Sequence, residues 1–194
     1  MKLNFIVALA TVLMVGTASA QHVNIGIKGG LNLYNLHYKN SSLDSKFGLH
    51  AGLLGHIHVT EKFSLQPEIV YSNQGAQYTK GSMNSRFNMN YVNVPLLFQY
   101  MFGSGFRLQA GPQLGLLVKA NSRYNNEVTV NQTDNFKTID TAISLGAGYI
   151  AKSGLGVDFR YNHGLSNIHK SSNSAYTTNR GFQLGMFYLL NHKS

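Results

Sequence analysis

Leu155-Gly-Val-Asp-Phe-Arg-Tyr161 alternates apolar and polar residues without a break. A period of two places successive side chains on opposite faces of a β-strand. One face carries Leu155, Val157, Phe159 and Tyr161; the other carries Gly156, Asp158 and Arg160. An apolar, aromatic face opposite a charged one suits a strand with lipid on one side and a polar interior on the other. The same rhythm recurs over 22–36, 47–59, 63–74, 88–102, 106–119, 138–151 and 180–190, which makes eight segments with 155–163.

Carried through those segments, the alternation sorts the side chains. Lys28, Asn32 and Tyr34 share the polar face of the first, and His50, His56 and His58 that of the second. Gln66 and Glu68 follow in the third, Asn93, Pro95 and Gln99 in the fourth, and Arg107, Gln109 and Lys119 in the fifth. Asp140 and Ser144 come next, then Asp158 and Arg160, then Gln183. Pro67 and Pro95 interrupt the donor pattern of their strands, and bulges are expected there.

The connections alternate in length. Those near residues 60, 103 and 153 are short; those over 37–46, 73–87, 120–137 and 164–179 are long and polar. An outer-membrane barrel has short periplasmic turns and longer external loops, and an even strand count lets the sheet close without an edge in lipid. The aromatics fall at two levels. Phe63, Tyr100, Phe106, Tyr149 and Tyr188 lie near the short-turn rim, and Tyr71, Tyr161 and Phe182 toward the loops. Such rings favour membrane–water boundaries. The expected fold is all-β: an eight-stranded antiparallel up-and-down transmembrane β-barrel. The alternative is an exported soluble barrel with its apolar face turned inward around a ligand.

The first twenty residues support export. Lys2 precedes an apolar run from Phe5 to Val15, and Ala18-Ser19-Ala20 forms a cleavage signal, so residues 21–194 are the expected barrel domain. Cysteine is absent, which excludes disulfides and thiol chemistry. The formal charge of +9 favours phosphate-rich lipid as a partner over nucleic acid in an exported chain.

Five segments carry a resemblance: Gly26-Ile-Lys-Gly-Gly-Leu31, Leu65-Gln-Pro-Glu-Ile-Val-Tyr71, Val94-Pro-Leu-Leu97, Ala110-Gly-Pro112 and Leu155–Tyr161. In order and spacing the chain resembles the PorT-like outer-membrane β-barrel family. The resemblance implies an outer-membrane barrel and, by analogy with one member, a link to protein secretion.

Four groups of residues carry candidate chemistry. Lys28, Glu68, Asp158, Arg160 and Gln183 fall at similar depth inside and are expected to form a polar network. Its structural reading is a plug, and its functional reading is an ion path. His56 and His58, two apart on one face, with His22 nearby, have metal-ligand character but lack a carboxylate or thiol to complete a set. Ser166 with His163 or His169 is a weak nucleophile–base pair without a convincing acid. Lys39, Lys46, Lys80, Arg86, Arg123, Lys170 and Arg180 are expected on external loops, where they suit lipid phosphates or an acidic partner. The expectation is a non-enzymatic outer-membrane protein with a structural or surface-interaction role and no cofactor. Outer-membrane lipid is its partner, with envelope or secretion proteins as further ones. An accessory role in a secretion or transport assembly, or a narrow pore, is the alternative.

Overall fold

Eight long antiparallel strands close into a ring in the computed structural model, which describes residues 23–38, 41–80, 83–124, 128–171 and 176–190. They are β1 (Val23–Tyr38), β2 (Asp44–His58), β3 (Phe63–Lys80), β4 (Met83–Met101), β5 (Phe106–Tyr124), β6 (Ile139–Ile150), β7 (Leu155–Gly164) and β8 (Thr177–Leu189). Each pairs with its neighbours in sequence, and β8 returns to β1 along a ladder from Gly26↔Leu189 to Tyr38↔Thr177. Closure leaves no open edge in this ring. Two short strands, Ser41–Ser42 and Val128–Asn131, add to β1 and β5 at the loop end. The expected export segment lies outside the described residues.

The faces follow the alternation. Ile25, Ile27, Leu31, Phe47, Leu53, Phe98, Leu145, Phe159 and Leu184 are exposed around the wall, while Lys28, Glu68, Arg107, Asp158 and Arg160 are buried inside. A soluble barrel would invert this arrangement. The outward apolar runs end on the loop side at Leu33, Phe47, Tyr71, Val92, Tyr161 and Phe182. Nine to eleven tilted residues per strand cross a bilayer. Just above that limit the outward positions turn polar: Asn35, Asn73, Asn90, Lys119, His163 and Arg180. Near the short turns, Phe63, Tyr100, Phe102 and Phe106 form a chain of ring contacts at 4.9–5.4 Å.

Three sequence expectations are corrected. The stretch 73–87 is not a loop, because β3 and β4 continue as a hairpin to Lys80 and Met83, with β5 following to Tyr124. Beyond the membrane the outer face of these strands meets water instead of lipid while inward residues such as Ala76, Met89 and Ser122 stay buried, so the apolar-out signal fades although the ladder continues. Register also passes Pro67 and Pro95 unchanged. The shifts lie instead between Ser45 and His50 and between Asn90 and Tyr91. The second of these turns Lys119 to the exposed outer wall, where simple alternation had placed it inside.

The interior is layered. Leu54, Ile150, Phe187 and Leu189, with Met101 against them, fill the end near the short turns. Polar and charged side chains occupy the middle. At the loop end Leu36, Ala76, Met89, Tyr91, Leu117, Ala120, Phe136 and Ile168 form a second apolar cluster. Two interior rings lie across glycines of the neighbouring strand. A Cβ at Gly156 would fall 2.1 Å from the Phe187 ring, and one at Gly181 2.4 Å from that of Tyr34. Only glycine permits such an approach.

Candidate functional site

The ion cluster is built by three strands that face each other across the lumen. Lys28 comes from β1, Glu68 from β3, and Asp158 and Arg160 from β7. Asp158 and Arg160 are two apart on one strand, so they point the same way. Arg160 clamps Glu68 with two parallel bonds, Nη1 to Oε2 at 2.7 Å and Nη2 to Oε1 at 2.6 Å. Its Nη2 also lies 3.4 Å from Asp158 Oδ2. Lys28 Nζ sits between the two carboxylates, 3.3 Å from each. Gln66 Nε2 donates to Glu68 Oε1 at 2.6 Å.

A fifth charge completes the layer. Arg107 lies 4.3 Å over the Phe187 ring and donates through Nη1 to the side-chain oxygens of Gln66 and Gln99. Gln99 in turn donates to Gln66 and Gln109. Three cations (Lys28, Arg107, Arg160) thus face two carboxylates (Glu68, Asp158), an excess of one positive charge. Buried charges persist when paired and hydrogen-bonded, and this lattice of amides and ion pairs meets much of that requirement. Arg107 is on the inward face by the same alternation; its place against Phe187 depends on an inward aromatic that the polar pattern did not reveal.

Gln183 is the cross-strand partner of Arg160, but its side chain bonds outside the ion cluster. It donates to Asn32 Oδ1 at 3.0 Å and accepts from Asn162 Nδ2 at 3.0 Å. Asn162 also donates to the Tyr34 hydroxyl, and Ser144 to Asn162. His50 Nδ1 bonds Asn32 Oδ1 at 2.8 Å. Asn179 donates to Gln74 above them.

The mouth on the loop side is covered by two segments. Thr133–Asn135 forms a turn of 3-10 helix, and Phe136 and Ile168 plunge into the upper apolar cluster. Lys137 N donates to Ile168 O at 2.7 Å and Lys170 N to Asn135 O at 3.1 Å, tying the two segments together. The His169 ring packs on Phe136 at 4.7 Å. Burial there lowers the His169 pKa below its usual value.

The other sequence candidates are dispersed. Lys46 is corrected from an exposed loop cation. It is buried in β2 beside the register shift, where Nζ donates to Asn73 Oδ1 at 2.5 Å and Gln74 O at 3.5 Å. Arg86 and Arg123 are exposed cross-strand partners on the projecting part of β4 and β5. Lys170 is exposed on the lid, and Arg180 is half-buried on the outer wall of β8. Lys80 ends β3, and Lys39 lies outside the described residues. Ser166 bonds Asp140 Oδ1 at 2.6 Å and accepts from Thr141 N. His163 shares a bond with the Tyr161 hydroxyl. The suggested serine–histidine pairing is therefore replaced by other partners. His56 and His58 meet edge to face at 4.5 Å. Among the described residues no three of His, Cys, Asp and Glu gather as a metal-ligand set, and His22 lies outside them.

Comparison with known proteins points the same way as the geometry. The model of a family described as outer membrane protein beta-barrel domain matches residues 19–170. Comparison with curated proteins returned no match. Among solved structures, Neisserial surface protein A aligns with a TM-score of 0.56 at 12% identity, covering 87% of this chain and 99% of that one. Ail, the attachment invasion locus protein of Yersinia pestis, in complex with the heparin analogue sucrose octasulfate, aligns at 0.53 and 12% identity with the same coverage. At such identities the likeness is one of fold.

Proposed function

The chain belongs to the outer membrane protein beta-barrel domain family, and on that premise we propose a non-enzymatic, non-conducting barrel that acts at the cell surface. The export segment over residues 1–20 belongs to the same proposal. The observation that carries it is the filled interior, with an ion cluster held between two apolar plugs. A hydrated ion crossing this lumen must part Arg160 from Glu68 and displace Phe187 and Phe136, and the pore reading is accordingly disfavoured. What remains available for interaction is the projecting part of β3, β4 and β5 with Arg86 and Arg123, together with the lid.

The PorT-like resemblance rests partly on residues 26–31, 65–71 and 155–161. Those segments supply Lys28, Glu68, Asp158 and Arg160, so they bear on how the barrel is packed. They lend no weight to a role in secretion. The test is conductance of purified barrel in a planar bilayer. The proposal expects no unitary steps from wild type; steady wild-type conductance that rises in Glu68→Gln would replace it with an ion path. Cell-surface binding should be lost when the hairpin of β3 and β4 is shortened to the membrane boundary.

A further inference from the structure

The outer wall at the β1–β8 seam carries a second polar site, separate from the lumen. Thr178 and Arg180 of β8, His37 and Asn35 of β1, and His163 of β7 all occupy outward positions at the loop end. Arg180 is the cross-strand partner of Asn35 on one side and of His163 on the other, and Thr178 is opposite His37. A cavity of about 430 Å³ opens here, lined by His37, Tyr176, Thr178 and Arg180. Thr178 Oγ1 and Arg180 Nε are buried in its wall without a hydrogen-bond partner. A buried donor left unpaired is costly, so such atoms point to a missing acceptor. Among the described residues no carboxylate lines the cavity, and the ion pairs all lie in the lumen.

The height of the site narrows its ligand. The next outward residue down β8 is Phe182, which stacks on Phe159 at 5.6 Å and packs against Tyr161 at 5.0 Å. Leu184 and Met186 continue below into the apolar band. Two strand residues rise only about 6.6 Å, so the cavity lies just above rings that mark a membrane–water boundary. A guanidinium, a hydroxyl and an imidazole lining one space suit a tetrahedral oxyanion. We propose that this cavity binds the phosphate of an outer-leaflet lipid headgroup, with the lipid's acyl chains running down the wall over Phe182 and Leu184. The proposal depends on the membrane orientation of the barrel and is unaffected by whether the lumen conducts.

The test uses full-length barrel in uncharged detergent micelles, with native mass spectrometry counting retained phosphatidic acid, phosphatidylcholine or inorganic phosphate. Wild type should retain phosphatidic acid about tenfold more tightly than phosphatidylcholine, and Arg180→Gln should lose that preference. Lys119→Gln, an exposed outward cation elsewhere on the wall, should keep it. Folding of each variant is checked by faster gel migration without boiling. Should Arg180→Gln not fold, Thr178→Val combined with His37→Gln serves in its place. An unaltered preference in the folded seam variant would overturn the proposal, as would equal loss in Lys119→Gln. Inorganic phosphate binding as tightly as phosphatidic acid would also overturn it and reassign the site to a soluble anion.

Discussion

Replacing Glu68 by Gln perturbs the ion cluster at its centre. Glu68 receives both bonds of the Arg160 clamp at 2.6 and 2.7 Å, the Lys28 ammonium at 3.3 Å and the Gln66 amide at 2.6 Å. A glutamine keeps the shape but turns one N–H donor toward a guanidinium. The interior then holds three cations against Asp158 alone, at 3.3 Å from Lys28 and 3.4 Å from Arg160. Removing one partner of a buried pair costs about 3–5 kcal/mol, because the other charge stays desolvated. A second change separates this cause from simple loss of packing. Lys28→Met with Glu68→Gln restores the original excess of one positive charge, so the double variant should be more stable than Glu68→Gln alone. The assay is the fraction of fast-migrating, unboiled barrel after equilibration in lipid vesicles across a urea series. A loss below about 1 kcal/mol for Glu68→Gln, or strictly additive effects in the double variant, would refute the reasoning.

Further outcomes follow from the other layers. Phe187→Ala removes a buried ring from the short-turn plug and the cation–π partner of Arg107; large-to-small core changes of this kind cost about 3–5 kcal/mol, measurable in the same urea series. Gly181→Ala puts a methyl group against the Tyr34 ring and should cost about 1–3 kcal/mol, with Tyr34→Leu relieving most of it. Phe136→Ala should loosen the lid, speeding amide exchange at Lys137 and Lys170 while leaving the gel shift intact. Acid should have a related effect through His169. Burial lowers its pKa in the docked lid, so the docked state favours the neutral ring and protonation favours the lifted one. Lid protection should therefore be full above the ordinary histidine value near 6.5 and decline as pH falls below it. Exchange at Lys170 should lose this dependence in His169→Phe.

Much of this architecture is legible in the sequence because lipid and lumen impose opposite demands on alternate residues. Wherever a strand crosses the membrane, as at Leu155–Tyr161, its faces can be read directly. The pattern fails where that contrast ends. Gln77, Tyr78 and Arg86 sit on strands that have left the bilayer, and their mixed polarity reads as a loop. Lys46 and Lys119 lie beside register shifts, which alternation cannot foresee. The plugs were hidden for another reason. Leu54, Leu117 and Phe187 occupy inward positions, but an apolar residue beside apolar neighbours gives no alternation to notice. The ion cluster was readable as a set of inward charges; its arrangement was not, since the distance from Glu68 to Arg160 depends on the curvature of the closed wall. The two unpartnered groups at Thr178 and Arg180 are defined only by the cavity around them.

The ion cluster also constrains how the molecule reaches its final place. Its charges come from β1, β3, β5 and β7, and Glu68 and Arg160 are 92 residues apart in the chain. They can meet only once the wall has curled round and β8 has joined β1. Before that seam is sealed, an uncurled sheet laid into hydrocarbon would hold two carboxylates and three cations against lipid, and would leave unpaired edges as well. Partial insertion is therefore the least favourable state along the route. Such a chain has two ways in: as a finished cylinder, or with its unsealed edges and charged face shielded by a protein or by water until β8 docks. The same charges that fasten the completed barrel thus penalise lingering halfway.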